Sequence, residues 1–148
     1  MADLQMVLAE AVKLNQSITQ FINFTTYPKC GDLSGLDMDL TDSEQIMLWD
    51  ELWNITDKLA DVQARINYLS QPVVEVSRLS KGTAGKYRTE KEHYYDCQSS
   101  IEALVADEYR DAPYWTRTTV EHDGKDYYLR GFHGLPMDGL TVRVRATP

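Results

Sequence analysis

His93 and Cys97 lie four residues apart, and His122, His133 and Cys30 are the other side chains that could join them around a metal ion. Structural zinc sites draw on close ligand pairs such as Cys-x-x-Cys. One loose pair on strand-like sequence does not converge on a tetrahedron. Cys97 beside a histidine is also the raw material of a nucleophile and its base. Here no basic cluster or helix start surrounds the thiol to lower its pKa. Asp37-x-Asp39 looks superficially like the opening of a calcium loop, but the glycine and closing glutamate of an EF-hand are not at their offsets. Asp37, Asp39, Asp42, Glu44, Asp50, Glu51, Asp57 and Asp61 crowd one stretch of the chain. Glycosidase chemistry needs two carboxylates facing each other across a cleft, and nothing in the spacing provides that. The chain has neither a phosphate loop nor a dinucleotide glycine fingerprint. The expectation is a protein that is not an enzyme and uses no cofactor or metal.

The elements that would carry these residues are more legible. Leu4, Val7, Ala11, Leu14, Ile18, Phe21 and Thr25 recur at alternating spacings of three and four, and so do Leu48, Leu52, Ile55, Leu59, Val62, Ile66 and Leu69. Two heptad runs predict two long amphipathic helices with a coiled-coil-like seam. Asp3 is the expected N-cap of the first, which should run to about Thr25, with Pro28 and Gly31 marking its end. Thr41-Asp-Ser-Glu44 has the form of a capping box. The second helix is expected from about Asp42 to Ser70, where Pro72 turns Gln71 out of helix. The intervening loop carries Leu33, Leu36, Met38 and Leu40, expected to pin it to the end of an antiparallel hairpin. Trp49, Trp53, Ala60, Ala64 and Tyr68 fall beside the seam and form the expected docking surface, for a second copy in a homodimer or for the C-terminal half.

After Pro72 the period changes to two. Val74, Val76 and Arg78 alternate with Val73, Glu75, Ser77 and Leu79. Lys81–Gly85 reads as a turn, and short strands are expected at 86–88, 93–96 and 101–105. A hairpin is expected at Trp115–His122, Asp123-Gly124 and Lys125–Phe132, because both central residues of a type I′ turn need positive φ. Leu140–Arg145 closes the chain as a strand with Leu140, Val142 and Val144 inward. The expected fold class is α+β: an acidic helical hairpin over 1–72, then a small antiparallel β domain over 73–148, an SH3-like barrel or curled sheet.

Net charge is −8, and it is uneven. Residues 1–72 hold eleven carboxylates against four bases, while residues 73–148 hold twelve against eleven. An acidic helical half repels nucleic acid, whose binders cluster Lys and Arg. Arg78, Lys81, Lys86 and Arg88, near several tyrosines, are the candidate nucleic-acid contacts of the second half. No apolar run approaches the roughly 18 residues that cross a bilayer. The acidic N-terminus and two distant cysteines fit a cytoplasmic protein with free thiols.

Trp115-Thr-Arg117, Val120-Glu121, Asp123-Gly124, Tyr127–Gly131 and Leu135–Arg145 together resemble DUF5348, a small bacterial family of unknown function seen in short proteins of mobile genetic elements. The resemblance implies a small β domain and a plasmid, conjugative-element or phage context; it implies no activity and leaves the helical half uncovered. The functional expectation is a protein-binding adaptor or inhibitor, in its most concrete form an antagonist of a basic host nucleic-acid-binding defence protein such as an RNA-guided nuclease (anti-CRISPR-like). Asp37, Asp39, Asp42, Glu44, Asp50 and Glu51 would face that partner. The alternative is a nucleic-acid-binding module acting through the β domain.

Overall fold

A computed structural model describes residues 1–147. The chain divides into two compact units, Met1–Gln71 and a second that begins at Pro72.

The first unit holds α1 (Leu4–Asn23), the short α2 (Tyr27–Cys30) and α3 (Ser43–Ser70). Asp3 caps α1, its side chain accepting from the Met6 N–H at 2.9 Å. Pro28 and Gly31 do more than end α1. They bracket α2, with proline in its first turn and Gly31 in the left-handed region at φ 71°, where glycine carries no Cβ penalty. The cap of α3 is Asp42, which accepts from the Glu44 N–H at 3.0 Å. Thr41, expected in that role, instead donates its hydroxyl to Asp39 Oδ1 at 2.7 Å.

Cross-helix partners climb α1 as they descend α3. Asn15 Nδ2 donates to Asn67 Oδ1 at 2.9 Å, Gln63 Nε2 to Thr19 Oγ1 at 2.9 Å, and Tyr27 Oη to Asp57 Oδ1 at 2.7 Å. Ile18, Ile22 and Ile66 form the buried centre, flanked by Ala11, Tyr27, Leu59 and Ala60. The seam differs from expectation. With Ala11, Ile18, Leu52, Leu59 and Ile66 at heptad position a, the covered side is a and e: Leu8, Asn15 and Ile22 on α1, and Trp49, Thr56 and Gln63 on α3, are buried or half-buried. The d column, Val7, Leu14, Phe21, Leu48, Ile55 and Val62, stays exposed. In the loop only Leu33 is buried; Leu36 and Leu40 are open. Leu33 is held by its carbonyl, which accepts from Trp49 Nε1 at 3.1 Å.

The second unit is built of β1 (Val73–Arg78), β2 (Ser80–Lys81), β3 (Tyr87–Arg88), β4 (Ser100–Val105), β5 (Tyr114–His122), β6 (Tyr127–Leu129) and β7 (Thr141–Arg145). Five strands form an antiparallel sheet in the order β1-β7-β4-β5-β6, and β2-β3 make a separate ribbon. β1 and β6 occupy opposite edges and do not pair, so the sheet is open and not a closed barrel. One face carries the core, with Ile101, Ala103, Val105, Val120, Leu129 and Val142 buried beside Leu79, Met137 and Leu140.

Two expected strands change. Segment 93–96 contributes only a bridge from Tyr94 to Arg88. Glu92 and Gln98, at φ 62° and 73°, turn the backbone out of extension on either side of it. The hairpin pairs His122 with Tyr127, so its connection is the four residues 123–126 and not a two-residue Asp-Gly turn. Asp123 Oδ1 accepts from the backbone N–H groups of Lys125 and Asp126 at 2.9 and 3.0 Å and so organises that loop.

Candidate functional site

The acidic residues lie on the connection after α2 and the first turns of α3. Asp39 is tied down locally: its carboxylate accepts from the hydroxyl and N–H of Thr41, which hold it below its ordinary pKa. Asp42 is committed to the α3 cap. Asp37, Glu44, Asp50 and Glu51 are exposed. None of the six enters an ion pair among the described residues.

The basic residues of the second unit are differently placed. Lys81 Nζ lies 3.2 Å from Asp126 Oδ1, Lys86 pairs with Asp96, and Arg88 Nη1 lies 3.3 Å from Glu92 Oε1. Arg78 is exposed. Of the nearby tyrosines, Tyr87 and Tyr95 belong to the core, while Tyr94 and Tyr109 are open. Three of the four candidate nucleic-acid contacts therefore already meet a carboxylate.

The expected docking set is split. Trp49 is half-buried over Leu33 and stacks on Trp53 with ring centroids 6.4 Å apart. Ala60 packs against the isoleucine cluster. Trp53 and Ala64 are exposed and Tyr68 is half-buried. Behind them, Tyr27, Asp57, Ala60, Asp61 and Ala64 line a shallow cleft. The bond to Asp57 raises the Tyr27 phenol pKa, and burial and the charge on Asp57 add to it.

Cys30 and Cys97 are free and exposed. Cys97 and Gln98 lie against Glu121. His122 Nδ1 accepts from the Gly124 N–H at 3.0 Å, and His133 Nε2 sits 3.0 Å from Asp123 Oδ2 while stacking on Tyr128. Backbone N–H groups of Asp126 and Lys125, then His133, hold the Asp123 carboxyl well below the usual carboxylate range. Among the described residues no three His, Cys, Asp or Glu side chains gather into a metal-binding group.

Sequence reasoning missed two buried carboxylates. Glu75 faces the interior of the β unit, and three donors meet it: Ser77 Oγ at 2.8 Å, Thr89 Oγ1 at 2.9 Å and the Lys91 N–H at 3.1 Å. Burial pushes its pKa up, but these donors outweigh the desolvation and leave it below the ordinary glutamate value. Glu102, on the opposite face of the sheet from Ile101 and Ala103, accepts from Arg143 Nε at 2.8 Å and Arg145 Nε at 2.9 Å. Arg143 also lies 4.4 Å over the Trp115 ring. The available signal was the Glu102, Arg143 and Arg145 charge set on adjacent strands. It becomes readable only once β4 and β7 are known to pair.

The second unit is a small open antiparallel β domain. A family model described as a domain of unknown function, DUF5348, matches residues 77–144, from Ser77 in β1 to Val144 in β7. That match takes in most of the sheet, without the first four residues of β1, and no part of the helical unit. No curated protein and no solved structure matches the chain.

Proposed function

We propose that the chain is a non-catalytic protein-binding adaptor or inhibitor whose helical unit engages a basic partner. The observation that carries this reading is how the charges are used. Asp37, Glu44, Asp50 and Glu51 are open and outside any ion pair among the described residues, whereas Lys81, Lys86 and Arg88 meet carboxylates within their own unit. A surface of one sign steers association with an oppositely charged protein. A nucleic-acid binder needs free cations to displace counterions. The partner class that fits is a protein with a basic nucleic-acid groove, and the setting that goes with this reading is the cytoplasm of a cell that carries the mobile element. In this reading α1 and α3 form an antiparallel helical hairpin that presents the acidic end.

Two measurements test it. Titration of short single- and double-stranded oligonucleotides at two salt concentrations should give no salt-sensitive binding; salt-sensitive binding would move the function to the β unit. A panel of basic nucleic-acid-binding proteins from the native host should include one that the chain captures. The double substitution Asp50→Lys with Glu51→Lys should weaken that capture at least about tenfold with helicity unchanged. Unchanged capture would remove the acidic surface from the account.

A further inference from the structure

α1 and α3 pack through Ala11, Ile18, Ile22, Leu59 and Ile66 and leave the d column open: Val7, Leu14 and Phe21 on α1, and Leu48, Ile55 and Val62 on α3, between 37% and 58% exposed. We propose that these two columns form one face, and that its occupant is the same face of a second copy, giving a four-helix bundle.

Three observations lead there. The first is geometric. In both helices the d column lies roughly a quarter-turn from the a/e contact, in the same rotational sense viewed from the N-terminus. The cross-helix partners run in opposite sequence directions. Equal rotations on antiparallel helices bring both columns to the same side of the two-helix layer. Asp57, which reaches Tyr27, lies on the other side.

The second is the pattern. The d column is apolar throughout, while e mixes Leu8, Ile22 and Trp49 with Asn15, Thr56 and Gln63; an apolar stripe wider than one internal contact is covered in a bundle by a further helix. An a column shared between an internal contact and an open d column is what a bundle core uses, and a seven-residue repeat is read by another helix. The bonds from Asn15 to Asn67 and from Gln63 to Thr19 set Leu14 and Phe21 beside Leu69 and Val62, and the columns running on from there in each helix call for two more helices, which an identical layer supplies through an isologous interface.

The third is size and charge. With Leu4, itself 84% exposed, these side chains present about 700 Å², close to the roughly 800 Å² per partner of a standard interface. The first unit is strongly acidic, yet of the six residues three positions on from the columns the four charged ones, Glu10, Glu51, Lys58 and Arg65, are two of each sign. This rim does not repel a copy of itself, whereas a basic partner finds a better match at the acidic end.

The test is the mass of the full chain in solution, by light scattering after size exclusion and by sedimentation across a concentration series. The wild type should be a dimer, twice 17.0 kDa. Leu14→Lys with Ile55→Lys should raise the dissociation constant at least about 100-fold, since four apolar side chains leave each dimer interface. Ala64→Lys, on the far side of α3, should leave the mass unchanged. Far-UV circular dichroism checks that helix content is kept. If the lysine pair unfolds, the milder Ile55→Ala with Val62→Ala should still weaken association about tenfold or more. A monomeric wild type would overturn the proposal and leave the face to some other cover, such as the β unit. A dimer that ignores both d-column pairs, or one broken by Ala64→Lys, would overturn the choice of face. Loss of capture by an Asp37→Lys with Asp50→Lys variant, whose positions lie outside this rim, with the dimer intact would separate this interface from the acidic one.

Discussion

Thr89 donates its hydroxyl to Oε1 of Glu75 at 2.9 Å, and both residues are buried. The bond joins β1 to the segment after β3. Ser77 and the Lys91 N–H reach the other carboxylate oxygen, and the Thr89 hydroxyl oxygen accepts in turn from the His93 N–H at 3.1 Å. The alternation of β1 is therefore polar-in: Glu75 and Ser77 are buried while Val74 and Val76 are exposed. A register shift between Val73 and Glu75 accompanies this arrangement, as a bulge re-aims the side chains that follow it.

Replacing Thr89 by valine keeps the shape and removes one donor from a buried carboxylate. It should cost about 1–3 kcal/mol, read as a lower denaturant midpoint at unchanged slope. Glu75→Gln should alter the pH dependence in a set direction. The Glu75 pKa is lower in the folded state than in the unfolded chain, so its charged form contributes stability that is fully present above the unfolded value of about 4.3. That contribution is lost as pH falls through the folded value. The stability of wild type minus variant should thus shrink on acidification below about pH 4.3; a constant difference would show that the donors do not favour the charged form.

Glu102→Ala leaves two arginines on the sheet face without the carboxylate that both now share. Arg143 and Arg145 side chains are only 23% and 13% exposed. Breaking such a buried set from one side typically costs about 3–5 kcal/mol. Chemical denaturation should show a loss of that size, and it should exceed the loss from Arg143→Met, which keeps the packing on Trp115.

The start of α3 separates two caps that look alike in sequence. Asp42→Ala should lower stability by about 1 kcal/mol, because it removes the acceptor of the Glu44 N–H. Thr41→Ala should cost less, since its hydroxyl serves Asp39 instead. Thermal melts of the two variants side by side decide it, and the reverse order would return the cap to Thr41.

Much of the architecture was legible before any coordinates. Asp3 as a cap, a first helix expected to about Thr25 and ending at Asn23, a second ending at Ser70, the change of period after Pro72 and the closing strand all follow from local rules. Side-chain periodicity and capping act within a few residues, so they survive in the sequence. The open edges of the sheet did not, because a list of short strands does not say whether the first and last meet. Glu75 gave no local hint of burial, since its donors come from as far away as Lys91.

The sequence by itself determined that two long helices carry apolar a and d columns and that a small β domain follows. Tertiary structure decided which column packs. Both sides of the a column are wide enough to make a seam, and hydrophobicity alone favours d. On the e side Asn15 and Gln63 find hydrogen-bond partners in Asn67 and Thr19. Amide and hydroxyl groups can pair across the helices where an apolar side chain cannot, so the mixed e side closes within the chain and the purely apolar d side is left outward.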